Sequence, residues 1–156
     1  MKRALAMVVA AAFVVVACGS DSEQLSEEEF LAAANEICEV GNEEVDQLFD
    51  DAFTAAGGEE ATEEEFQRFF QDEGENLRDA FVSNVQGQVS AVRDLNGPDD
   101  LEEELDPLVD QLSDELDALS ELSVEEFFEG AWEAGFNEIN SQIQALGLTT
   151  CAEDAG

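Results

Sequence analysis

Thiols and carboxylates are the side chains in this chain that could carry chemistry. Cys18, Cys38 and Cys151 stand far apart, and 40 acidic residues face 5 basic ones, with no His and no Tyr among 156 residues. The only Lys and both Met (Lys2, Met1 and Met7) lie before Cys18, so the chain from Cys18 onward lacks those residue types as well. Within one such chain, histidine acid/base work, Ser-His-Asp triads, Schiff-base lysines and His or Met ligation of haem or copper are excluded. The ferritin-like di-iron bundle, which needs Glu-x-x-His, is excluded too. Two carboxylates suffice for a glycosidase, yet among 40 acids any given pair is expected by chance. The expectation is therefore no enzyme, with a carboxylate hydrolase as the remote alternative.

Hard cations such as calcium take oxygen ligands. No D-x-[DN]-x-[DN]-G loop occurs, and Asp50-Asp51, Asp72-Glu73-Gly74-Glu75 and Asp99-Asp100 lack the alternation that wraps one ion. Weak, diffuse condensation of divalent cations is expected, with no cofactor and no dedicated metal site. A formal charge of −35 repels phosphate backbones, so nucleic acid is not an expected partner.

The odd cysteine is explained by the N-terminus. Met1-Lys2-Arg3 form a basic start, and fourteen uninterrupted apolar residues, Ala4 to Ala17, precede Cys18 and the polar Gly19-Ser20-Asp21-Ser22. A helix of that length spans about 21 Å, short of the roughly 30 Å hydrocarbon core. The segment reads as a signal peptide. Val15-Val16-Ala17-Cys18 resembles the lipobox of bacterial lipoproteins. The resemblance implies cleavage before Cys18, diacylglyceryl transfer to its thiol, and anchoring of an exported protein to the outer face of the cell membrane by that lipid. Ordinary signal-peptidase cleavage is the alternative and leaves Cys18 as a spare thiol. With Cys18 acylated, Cys38 and Cys151 remain, and two thiols in an exported protein can pair. Such a bridge closes a loop of more than a hundred residues, for which chain entropy alone assigns about 4.7 kcal/mol.

These groups must be positioned by helices. Residues 1–17 are the expected leader, 18–25 a polar tether and 26–156 one acidic helical domain. Three segments start alike: Ser26-Glu27-Glu28-Glu29-Phe30, Thr62-Glu63-Glu64-Glu65-Phe66 and Ser123-Val124-Glu125-Glu126-Phe127. Each is a capping box with acids in the first turn, preceded by an apolar residue (Leu25, Ala61, Leu122) able to pack on the Phe. From the first start, Leu31, Cys38, Val45 and Ala52 recur every seven residues until Gly57-Gly58, which turns Cys38 toward the core. A second helix is expected over 62–95, with a kink or loop at Gly74. A third carries Leu101 to Leu122, with Pro107 dividing it or delaying its start. A fourth is expected over 124–146 on Phe128, Ala131, Trp132, Gly135, Ile139 and Ile143. No period-two alternation is present, so the fold class is all-α, an antiparallel four-helix bundle. Thr149 and Thr150 must let the tail fold back for Cys151 to meet Cys38.

Aromatic residues at helical spacing are normally core. Phe127, Phe128, Trp132 and Phe136 nevertheless exceed what one buried face holds, and are candidates to line a groove for an apolar ligand or partner helix. Arg68, Arg78 and Arg93 all fall on the second helix, where bridging to flanking acidic helices is their ordinary role. The stretch Leu31-Ala-Ala-Ala-Asn-Glu-Ile-Cys-Glu-Val-Gly-Asn42, with a second Cys at the tail, resembles small helical lipoproteins of Actinobacteria. That likeness implies location and fold and transfers no site residues. The expected function is a non-enzymatic envelope module for binding or structure, held to the membrane through Cys18. A carrier or sensor for an apolar or cationic ligand on the Phe-rich fourth helix is the alternative.

Overall fold

A computed structural model describes residues 24–130 and 133–152. Every regular element among them is helical. Helix α1 spans Glu27–Ala55, α2 Glu63–Arg93, α3 Asp99–Glu121, α4 Val124–Phe128 and α5 Glu133–Ala145, with a 3-10 turn at Gly58–Glu60. The expected leader (1–17), Cys18 and Trp132 lie outside the described residues.

All three expected capping boxes form. The hydroxyls of Ser26, Thr62 and Ser123 accept from the amides of Glu29, Glu65 and Glu126, and each Glu carboxylate accepts in return from its cap's backbone amide. The third box opens the short helix α4. Side-chain and backbone donors of Ser26 hold the Glu29 carboxyl below its ordinary 4.5, and Ser123 does the same to Glu126; for Glu65 the backbone amide of Thr62 leads and its hydroxyl follows. Because the ionised form is favoured in the folded state, this stabilisation is present above about pH 4.5 and fades as pH falls through the lowered folded values.

Helices α1 and α2 form the longest hairpin, α3 returns along α2, and α5 packs on α3, while α4 rests on α2. Two apolar layers fill the interior. One joins Phe30, Ala34 and Cys38 of α1, Val92 of α2, Leu105 and Val109 of α3, and Ile139 and Ile143 of α5, closed by Leu148 of the tail. The other joins Val45, Phe81, Val82, Leu116, Leu119, Phe127 and Phe136. Leu25 packs against the layer that holds Phe30, and Leu122 against the layer that holds Phe127, as hydrophobic staples require.

Neither helix is broken at the two expected places. Helix α2 runs unbroken through Gly74, which is a notch for Val124: a Cβ built there would lie 2.4 Å from Val124 Cγ1. Helix α3 likewise runs through Pro107, which is exposed together with Glu103 four residues earlier. Both residues sit on the solvent side of α3, where a carbonyl left without its amide donor can be hydrated, which limits the usual cost. The break falls instead in the expected fourth helix, where Gly130 adopts φ 75° after Phe128 and donates to the Phe127 carbonyl. A left-handed residue there ends α4. Because Val124 is β-branched and seated against α2, Gly74→Ala is expected to destabilise the protein by about 1–3 kcal/mol through overpacking. Thermal unfolding measures this, and Gly87→Ala is the control, because a Cβ there meets nothing within 4 Å.

Candidate functional site

Two constellations stand out, one at each end of α1. At the near end, Asn35, Cys38 and Asn42 share one face of the helix and hold the tail. The Asn35 amide donates to the Gly147 carbonyl at 3.1 Å, and its Oδ1 accepts from the Thr150 amide at 2.8 Å. Asn42 donates to the Thr150 carbonyl at 3.1 Å. Between them Cys38 and Cys151 form a disulfide with Cα atoms 4.9 Å apart. Gly147 makes the fold-back with φ 93°, which places Leu148 in the core and brings Thr149 and Thr150 alongside α1. The expected bridge and returning tail are thus present. The two asparagines that read the tail's backbone were visible in the sequence without any signal for their role.

The far end holds the aromatic constellation. Successive ring contacts run Phe53 to Phe66 at 5.7 Å, Phe66 to Phe70 at 6.3 Å, Phe70 to Phe128 at 4.4 Å and Phe128 to Phe127 at 4.9 Å. Phe127 then meets the buried Phe81 at 5.8 Å. The sequence-level quartet is divided. Phe127 and Phe136 are 3% and 8% exposed and belong to the second core layer, so they cannot line a groove. Phe128 is 37% exposed, and Trp132 is outside the described residues. Adjacent residues on a helix point about 100° apart, so burying Phe127 turns Phe128 outward.

Phe128 lines a cleft of about 610 Å³ between α2 and α4. Phe70 and Val124 complete its apolar surface, Gln67, Gln71 and Asn76 supply amides, and Asp72, Glu75, Glu125 and Glu129 stand around it as exposed carboxylates. Phe70 carries no sequence signal beyond being one of the apolar residues of the second helix. Its partnership with Phe128 depends on α4 crossing α2 at Gly74, which no local pattern reveals. An aromatic pair tilted at 51° with carboxylates on its rim is suited to hold a cation bearing apolar groups, since ring faces and carboxylates both attract positive charge.

The basic residues do not neutralise this rim. Arg68 pairs with Glu64 of its own helix at 3.0 Å. Arg78 pairs with Asp79 at 2.7 Å and also donates to the Leu122 carbonyl, tying α2 to the end of α3. Arg93 forms an ion pair with Asp110 of α3. Bridging to a flanking acidic helix therefore holds for Arg93, and in hydrogen-bonded form for Arg78, whereas Arg68 stays within α2. Among the described residues, no three acidic or thiol side chains converge as a metal site would require. Among them also, no helix is long and apolar enough to cross a membrane.

No protein-family model, curated protein or solved structure matches the chain.

Proposed function

We propose that this protein is a non-enzymatic, exported lipoprotein, anchored through Cys18 to the outer face of a bacterial cell membrane, that binds cationic ligands carrying apolar groups. The observation that carries the ligand chemistry is the cleft in which Phe70 and Phe128 meet at 4.4 Å beneath Asp72, Glu75, Glu125 and Glu129. The lipobox-like leader and the Cys38–Cys151 bridge support the location, because disulfides persist in oxidising compartments. Cation–π attraction at a partly exposed site contributes about 0.5–1 kcal/mol, and surface carboxylates add a term that salt screens. Apolar contact with the two rings must provide the rest.

Isothermal titration with tetraphenylphosphonium tests this, with tetraphenylborate as a probe of the same shape and opposite charge. Saturable binding of the cation, no binding of the anion, and an affinity about tenfold weaker in Phe128→Ala are expected, a loss of about 1.4 kcal/mol. Equal binding of both ions, or a Phe128→Ala protein that binds unchanged, would overturn the reading.

A further inference from the structure

The aromatic surface extends beyond the cleft. Phe66 is half-buried, Phe53 at the end of α1 is 45% exposed, and both continue the succession of ring contacts that starts at Phe128 and Phe70. We infer that this phenylalanine ladder, Phe53–Phe66–Phe70–Phe128, docks a cationic amphipathic helix of a partner protein. The inference rests on the cation-binding reading of the cleft and names the class of macromolecule that presents the cation.

Three features select this occupant. Ring contacts at 5.7, 6.3 and 4.4 Å join the four side chains into one continuous apolar strip, against which apolar anchors three and four residues apart on a partner helix pack. The flanking charge has one sign. Between Asp50 and Glu75 the only basic residue is Arg68, and it is paired with Glu64. Lysines or arginines beside the partner's apolar stripe would face these carboxylates, which raises the association rate and sets the orientation. The same charge opposes a second copy of this chain and an anionic bilayer.

The position of the ladder also separates it from the membrane. The Leu25 amide donates to the Asn96 carbonyl at 2.8 Å, and the Gln24 side chain donates to the Gly97 carbonyl at 2.8 Å, so the described chain starts pinned to the α2–α3 turn. From there to Phe53, α1 covers about 40 Å at 1.5 Å per residue. A link from Cys18 to Leu25, fully extended, spans about 25 Å. An anchor at Cys18 therefore leaves the ladder at the far end of the bundle, presented to other proteins.

The test uses the intact, oxidised chain in lipid nanodiscs and a synthetic helical peptide of leucine and lysine with one apolar face. Two controls accompany it: a sequence-scrambled peptide of the same composition, and a version with glutamate in place of lysine. Saturable binding is expected for the amphipathic cationic peptide alone, weakened about tenfold in Phe53→Ala. Phe53 lies outside the cleft, and its exposure lets the variant keep its melting temperature, so tetraphenylphosphonium should bind Phe53→Ala as it binds the parent. Equal binding of the scrambled peptide, or a Phe53→Ala protein with unchanged peptide affinity, overturns the docking inference. A parent that binds the small cation and ignores the peptide overturns it while leaving the cleft reading intact. Failure of both probes overturns both. Self-association measured by sedimentation that Phe53→Ala abolishes, or peptide-free binding to anionic vesicles, would assign the ladder to a second copy or to lipid and likewise overturn it.

Discussion

The double replacement Cys38→Ala and Cys151→Ala is expected to lower stability by about 4–5 kcal/mol. The bridge joins positions 113 residues apart, so it removes from the unfolded ensemble nearly all conformations in which the two ends separate. The chain-entropy relation gives about 4.7 kcal/mol for a loop of this size. At about 4 °C per kcal/mol for a domain of this length, the melting temperature should fall by about 15–20 °C. Alanine is the replacement of choice because Cys38 is 4% exposed and a serine there would bury a hydroxyl group.

The remaining tail contacts cannot substitute for the bridge. Three hydrogen bonds from Asn35 and Asn42 contribute about 0.5–1.5 kcal/mol each, and Leu148, 2% exposed, contributes its apolar burial. Residues Gly147 to Cys151 should therefore still dock in the alanine variant, but with amides that exchange with solvent much faster than in the oxidised parent. Parallel melts of the oxidised parent, the reduced parent and the double variant check the prediction. Agreement of all three within about 3 °C would show that the bridge adds little to the stability of the fold.

The parts of this architecture that were legible from residues alone are those decided within one or two turns. Ser26, Thr62 and Ser123 announced three helix starts because the capping box is closed by residues three apart, and each box is present with its reciprocal hydrogen bonds. Cys38 was placed on the core side of α1 by its seven-residue spacing with Leu31 and Val45, and it is buried there. What periodicity could not reveal were contacts between elements. Gly74 carried the local signature of a helix breaker, yet its lack of a side chain serves Val124, fifty residues later. Pro107 likewise lacks a donor, yet its exposed position decides the outcome. Reading Ala131 and Trp132 as a continuation of the apolar stripe concealed the left-handed Gly130 that ends α4. The candidate site shows the same limit. Phe128 stands out because the aromatics around it exceed what one buried face holds, while Phe70, its partner at 4.4 Å, is recognised only once α4 lies across α2.

Salt is the second large lever, and its effect should be concentrated on α3. Asp99–Glu103, Asp100–Glu104, Glu102–Asp106, Asp106–Asp110, Asp110–Asp114 and Asp117–Glu121 are like-charged pairs at four-residue spacing on that helix. Each costs about 0.2–0.5 kcal/mol in an isolated helix, so these six together oppose α3 by roughly 1–3 kcal/mol. Among the described residues, Arg93 supplies the ion pair to this helix, through Asp110. The Debye length shrinks from about 30 Å at 0.01 M to about 8 Å at 0.15 M and about 3 Å at 1 M, and most of the repulsion is therefore screened within the first few tenths molar. A rise in melting temperature of about 5–10 °C is expected, steepest below about 0.3 M sodium chloride, a range in which salting-out of apolar surface is still small. Asp106→Lys separates the two contributions. It converts the repulsive contacts with Glu102 and Asp110 into attractive ones at an exposed position, so the variant should melt higher than the parent in dilute buffer and gain less from added salt. A parent melting temperature flat from 0.01 to 0.3 M, or an Asp106→Lys protein with the parent's full salt response, would show that the surface charge does not limit the stability of this bundle.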